Sequence, residues 1–167
     1  MDGQTADFGA ILDVLIKHNV KFVIVGGVSA VLQGAPVVTF DLDIVHAREP
    51  DNLDRLVAAL EELGAHYREH TQQVLKPKAS HLASPGHHLL MTSGGPLDLL
   101  GEVGDRQGFS QLLGQTVEFE IGQGRRVKVL ALGALIELKK RLGRDKDKAA
   151  LAVLQRALEE RNKRTNT

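Results

Sequence analysis

Asp41 and Asp43 are the residues whose type and spacing could do chemistry in this chain. They lie at i and i+2 in a β-rich segment, so both side chains leave the same face of a strand, roughly 7 Å apart at Cα. Two acids on one face imply a cation. Upstream, the apolar run Val23-Ile24-Val25 stops at Gly26-Gly27, and Val28 to Leu32 has the spacing of a short helix ending at Gly34. A strand, a bare backbone turn and a helix N-terminus make a place for phosphate. Gly26 and Gly27 would let backbone N–H groups approach a triphosphate with no Cβ in the way, and Ser29 could add a hydroxyl contact.

A third acid, Asp98, interrupts the apolar segment Pro96-Leu97-Asp98-Leu99-Leu100. Buried carboxylates are rare unless paired or metal-bound, so its setting is odd. Each feature alone has an ordinary reading: paired glycines make tight turns, and Asp-x-Asp often lies on a solvated face. The combination is more specific than its parts. Adjacent strands about 4.8 Å apart would gather the three acids around one volume. Hard oxygen ligands of that kind suit Mg²⁺ or Mn²⁺, which take further ligands from the phosphates of a nucleoside triphosphate.

The elements that must position these groups follow from periodicity. Phe8, Ile11, Leu12, Leu15 and Ile16 define one face of an opening helix that ends at His18-Asn19. Pro50 and Asp51 start a second, with Leu53, Leu56, Val57, Leu60 and Leu63 inward and Gly64 as its stop. Segments 65–69, 73–75, 80–83 and 88–92 read as short strands among loops. Thr116 to Ile121 and Arg126 to Val129 form a hairpin about Gly122 to Gly124. Leu130 to Leu142 and Lys146 to Arg161 are closing helices separated by Gly143, with Leu151, Leu154 and Leu158 as the stripe of the second. The polar tail 162–167 is expected to fray.

Composition narrows the function class. The chain has 167 residues, 4% aromatics, no cysteine, and 21 basic against 21 acidic side chains. That excludes thiolate chemistry and disulfides, and a net charge of zero gives no whole-molecule attraction to nucleic acid or membrane. No apolar run has spanning length and the polar start MDGQTADFG is no signal peptide, so a cytoplasmic protein without membrane contact is expected. His81, His87 and His88 lie close in sequence, but adjacent His87 and His88 would point to opposite faces of a strand, which argues against zinc. The basic cluster from Lys139 to Lys148 suits a solvated helix end as well as phosphate or RNA contact.

Gly26-Gly27, thirteen residues, then Asp41-Leu42-Asp43-Ile44 resembles the signature of the polymerase-β-like nucleotidyltransferase superfamily. Gly34-Ala35-Pro36 and Thr39-x-Asp41 are similar to a segment of its small bacterial members, including those associated with toxin and antitoxin pairs. Asp98 occupies the place of the third acid. Leu135-Ile136-Glu137-Leu138-Lys139 and Gly143-Arg144-Asp145-Lys146-Asp147 look like the C-terminal helical part. The resemblance implies that Asp41, Asp43 and Asp98 are metal ligands and catalytic groups, Asp98 being nearest the acceptor hydroxyl. It implies that Gly26, Gly27 and Ser29 hold the β- and γ-phosphates, with Lys139, Arg144 and Lys146 neutralising phosphate charge. The reaction implied is transfer of a nucleoside monophosphate from a nucleoside triphosphate to a hydroxyl on a small molecule, a protein or an RNA end, with release of pyrophosphate.

The chain departs from that pattern at Val37, where small relatives carry Arg. Arg48, Lys76 and Lys78 are the basic residues that could replace the missing cation. The departure also leaves a second reading open, a catalytically idle module that binds a nucleotide or a cognate partner protein. The fold expected is α/β (α+β): a nucleotidyltransferase core over residues 1–129, with a mixed β-sheet flanked by helices. A C-terminal helical pair over 130–167 packs on that core in one compact unit.

Overall fold

A computed structural model of the chain describes residues 6–69 and 72–165. Helix α1 (Phe8–Lys17) opens under the cap of Asp7, whose Oδ1 accepts from the Ala10 N–H at 3.0 Å. Strand β1 (Phe22–Val25) runs straight into α2 (Gly26–Leu32), so the glycine turn is itself the first turn of a helix. Strand β2 (Leu42–His46) and helix α3 (Pro50–Glu62) follow. Next come β3 (His66–Tyr67), α4 (Ala79–Leu82), β4 (His87–Thr92) and β5 (Gly95–Leu100). The chain closes with α5 (Phe109–Leu112), the hairpin of β6 (Thr116–Glu120) and β7 (Arg126–Leu130), and helices α6 (Leu132–Leu142) and α7 (Asp145–Thr165).

The seven strands form one mixed sheet in the order β3-β4-β5-β2-β1-β7-β6. β2 pairs antiparallel with β1 and parallel with β5, so the two acid-bearing strands are neighbours at the centre. One face carries Ile24, Leu42, Ile44, Leu97 and Leu99 and is covered by Ile11 and Leu15 of α1 and Leu56 and Leu60 of α3. On the other, Val23, Val25 and Val45 pack under α2, α6 and α7. Each fully buried Leu or Ile contributes about 1.5–3 kcal/mol, and these two layers hold the central strands rigid under the site.

Two buried amides fasten the frame. Asn52 Nδ2 donates to the Ala47 and Lys21 carbonyls at 2.7 and 3.1 Å, and its Oδ1 accepts from the Lys21 N–H at 2.7 Å, joining α3 to the outer ends of β1 and β2. Gln33 Nε2 donates to Ser29 and Leu130 carbonyls at 2.9 and 2.8 Å, while its Oε1 accepts from the Leu132 N–H at 3.1 Å. Gln33 thereby locks the end of α2 to the start of α6, so the helix bearing Lys139 is registered against the glycine turn.

Two sequence expectations are corrected. Residues 80–83, read as strand-like, lie in and just after the short helix α4, and 73–75 contributes only the Leu75 carbonyl, which accepts from the Tyr67 N–H at 2.9 Å. Segments of four residues are too short for either period to show, and Leu82 is buried because α4 packs against α3 in the core under the sheet. The expected frayed tail is helical to Thr165, and its last two residues lie outside the described part. Among the described residues no helix is long and apolar enough to cross a membrane.

Candidate active site

Asp43 is the centre of the site because the sheet register puts it there. It pairs with Val25 at the end of β1 on one side and with Asp98 of β5 on the other. Asp41 precedes β2 on the same face, two residues away. One carboxylate oxygen from each of Asp41, Asp43 and Asp98 falls within 4.8 Å of the others, in the one such acid or histidine cluster among the described residues. Asp98 is 8% exposed, whereas Asp41 and Asp43 are half-buried. Like charges at that spacing repel by about 3 kcal/mol per pair at an effective dielectric of 20.

Burial above all, then the charges of Asp41 and Asp98, push the Asp43 carboxyl up to about 8, with Lys139 pulling the other way. Burial and the neighbouring Asp98 also raise Asp41. Burial and mutual repulsion therefore oppose full ionisation of the three carboxyls together.

The cation nearest the acids is one that sequence reasoning missed. Arg68, just beyond the two-residue strand β3, sets Nη1 2.7 Å from Asp98 Oδ1 and donates to the Leu90 carbonyl at 2.8 Å. Asp98 Oδ1 is buried and receives no aligned hydrogen bond, so Arg68 compensates it by charge. The residues expected to stand in for the cation lost at Val37 go elsewhere. Arg48 pairs with Glu102 at 2.8 Å, and Lys76 and Lys78 line a separate hollow with Tyr67, His81 and His88. No single-sequence signal marks Arg68, because its position depends on the pairing of an edge strand two residues long.

The glycines are required by close approach. Gly26 has φ +71°, and a Cβ there would land on Asp43 Oδ2. A Cβ on Gly27 would come within 2.7 Å of Thr39 Cβ and Oγ1, and Thr39 Oγ1 donates to the Asp41 carbonyl at 3.0 Å. The turn thus lies tightly between the acids and the loop that delivers Asp41. Gly26→Ala is expected to cost about 1–2 kcal/mol in backbone strain. By displacing Asp43 it should lower the nucleotidyl transfer that the resemblance implies about 10²-fold, as read by steady-state pyrophosphate release alongside thermal melting.

Asp41, Asp43, Asp98, Gly26, Gly27, Lys139, Arg144 and Lys146 all line one cleft of about 580 Å³. Ser29 does not. Helix α2 starts at the glycines, so Ser29 is turned inward, fully buried with its Oγ unpartnered among the described residues. Lys139 and Arg144 share a carboxylate that the sequence reading passed over. Asp147, at the start of α7 and fully buried, lies 3.3 Å from Lys139 Nζ and 2.5 and 3.2 Å from Arg144 Nε and Nη2.

The hydrogen bond from Arg144, then Lys139, holds the Asp147 carboxyl below its usual range. A depressed folded-state value contributes stability above the unfolded value of 3.8 and loses it only as pH falls through the lower folded one, so this anchor is intact at neutral pH. On the roles that the resemblance implies for Lys139 and Arg144, Asp147→Ala is expected to release both cations and raise the nucleotide KM about tenfold, with kcat changed much less. Measuring both constants on purified variant checks this split.

The three histidines do not gather into a ligand cluster among the described residues. His88 shares hydrogen bonds with Tyr67 Oη at 2.9 Å and Ser84 Oγ at 3.4 Å, while His87 Nε2 donates to the Glu102 carbonyl at 3.1 Å from the other face.

The model of the aminoglycoside-2''-adenylyltransferase family matches residues 7–154. Among solved structures, a Thermotoga maritima protein described as a candidate nucleotidyltransferase is 21% identical with a TM-score of 0.56, covering 92% of this chain and 91% of that one. The lincosamide antibiotic adenylyltransferase LnuA, with lincomycin bound, is 18% identical with a TM-score of 0.59, over 89% of this chain and 94% of its own. ANT(2'')-Ia in complex with adenylyl-2''-tobramycin is 16% identical with a TM-score of 0.58, over 90% and 87%. These likenesses establish the fold. No curated protein sequence matches the chain. Neither the family description nor these three structures concern a toxin and antitoxin pair.

Proposed function

The chain belongs to the aminoglycoside-2''-adenylyltransferase family and is a nucleotidyltransferase; from that premise we propose that it transfers AMP from ATP to a hydroxyl of a small molecule, in a metal-dependent reaction at the Asp41–Asp43–Asp98 cleft. The observation that supports this most is the gathering of three carboxylates within 4.8 Å, on the same cleft as the glycine turn and Lys139. Relatives named for lincosamide and aminoglycoside substrates make an antibiotic-like polyol the natural class of acceptor. ATP as donor fits the cytoplasmic setting expected from the sequence.

The donor set fits Mg²⁺ or Mn²⁺. Three hard carboxylate oxygens converge, one of them on an acid pushed up to about 8 by burial and by its acidic neighbours. Asp41 and Asp43 would hold the ion on the nucleotide side and Asp98 on the acceptor side. A divalent ion bound there supplies positive charge to the phosphates and eases deprotonation of the acceptor hydroxyl.

The chain's own residues do the remaining work. Gly26 and Gly27 present bare backbone to the β- and γ-phosphates, and Lys139, Arg144 and Lys146 face them from the helical wall. Asp98 accepts the proton of the hydroxyl as its oxygen attacks the α-phosphorus. The bond from that phosphorus to the bridging oxygen breaks, and pyrophosphate leaves. Arg68, through its charge on Asp98, keeps that carboxylate aimed into the cleft.

Incubating the protein with ATP, Mg²⁺ and a panel of polyol antibiotics, and weighing the products by mass spectrometry, tests the reading. An acceptor heavier by one AMP is expected, together with one pyrophosphate per product. Metal-dependent ATP binding with no adenylylated acceptor in a broad panel would instead favour the idle binding module.

A further inference from the structure

We infer that the acceptor of this enzyme is a hydroxyl compound with an apolar body and little positive charge, and that a polycationic aminosugar is a poor fit. The inference rests on the cleft being the site of nucleotidyl transfer, and it concerns only the wall on the acceptor side of Asp98.

Strand pairing builds that wall. Leu89 of β4 stands opposite Asp98, and His87 stands opposite Leu100, so all four side chains leave the same face of the sheet. All four line the cleft, with Val103 beyond them. Helices α2, α6 and α7 cover the neighbouring strands β1 and β7, where the glycines and the phosphate-side cations lie. The β4 side is left to the second substrate, and Leu89 and Leu100 remain half-buried there. The rim of the cleft carries the same character, since Val38 is 81% and Phe40 77% exposed.

Charge points the same way. Among the described residues, the acids lining the cleft are Asp41, Asp43 and Asp98 alone, and all three are taken by the metal and by catalysis. Glu102 gives only its backbone carbonyl to His87, at 3.1 Å, because its carboxylate is paired with Arg48. Asp98 is the one carboxylate of the wall itself, and the Arg68 guanidinium, 2.7 Å away, already pairs with it. An ammonium group brought there would lose water and find the wall's one carboxylate already taken by a guanidinium. An alkyl or aryl group would instead cover Leu89 and Leu100 and displace poorly held water. The wall thus discriminates by repulsion as well as by fit.

Calorimetry on enzyme saturated with Mg²⁺ and a non-hydrolysable ATP analogue tests this with two probes, p-nitrophenyl β-glucoside and tobramycin. The glucoside is expected to bind at least about tenfold more tightly than the aminosugar. Leu89→Asp, which puts a carboxylate into the wall, is expected to move the ratio at least about tenfold toward tobramycin. Equal binding of the two probes, tighter binding of tobramycin to the wild type, or an unchanged ratio in the variant overturns the inference. Binding of the ATP analogue, recorded in the same titrations with and without Mg²⁺, reports on the transfer reading separately. Protein that takes up the analogue but prefers tobramycin refutes the acceptor inference and leaves the transfer reading standing.

Discussion

Asp43→Asn is expected to lower nucleotidyl transfer by about 10³-fold or more while leaving the fold intact. The size follows from position. Asp43 is the one acid set between the glycine turn, beside Val25, on one side and a second acid, Asp98, on the other. A carboxamide keeps its shape but offers a hard cation one neutral oxygen, and losing several kcal/mol of charge stabilisation corresponds to about three powers of ten in rate. Asp41→Asn is expected to lose less, because Asp41 lies outside the strand and its loop can adjust. Steady-state pyrophosphate release gives the rates, and unchanged far-ultraviolet circular dichroism shows that the sheet survives.

The same substitution is expected to make the metal-free protein more stable. In the fold the Asp43 carboxyl is pushed up to about 8 from an ordinary 3.8. The folded state therefore binds a proton more tightly than the unfolded one, and stability from this group falls as pH rises from about 4 to about 8. Asn carries no such penalty. Without metal the variant should equal the wild type near pH 4 and exceed it at pH 8 by about 1–3 kcal/mol, or roughly 2–4 °C in Tm per kcal/mol.

Added Mg²⁺ and nucleotide should reverse that order. At about 1,000 times the dissociation constant, ligand stabilises the wild type by roughly 4 kcal/mol, and the variant should gain almost nothing. Thermal melts at two pH values with and without ligand resolve both effects. Equal melting of the two proteins under all conditions would contradict the account of a charge-strained site.

Much of this site was legible because it is written in local patterns. An apolar run ending in paired glycines predicts a strand and a turn, and Asp-x-Asp on a strand places both acids on one face. The structure keeps both, with Asp41 just outside β2, and the parallel pairing of β2 with β5 brings in Asp98 as expected. The long periodic helices α1, α3, α6 and α7 and the β6–β7 hairpin were readable for the same reason.

What was not legible depends on tertiary placement. Ser29 follows the glycines in sequence, but the helix begins at Gly26 and rotates it into the core. Arg68 comes to Asp98 through an edge strand of two residues, Asp147 fixes two cations from the start of a helix, and Gln33 ties α2 to α6 across almost a hundred positions. The cation missing at Val37 was sought among Arg48, Lys76 and Lys78, whose alternatives are a pair with Glu102 and a separate hollow. No sequence period carries such information, because each contact is decided by which strands and helices become neighbours.

The most direct test of the central claim is calorimetric titration of a non-hydrolysable ATP analogue into the wild type and into Asp43→Asn, each with and without Mg²⁺. The account predicts binding to the wild type that requires the ion and is lost in the variant. Binding that is indifferent to Mg²⁺, or equal in the two proteins, would contradict the assignment of the Asp41–Asp43–Asp98 cleft as a metal-dependent nucleotidyl-transfer site.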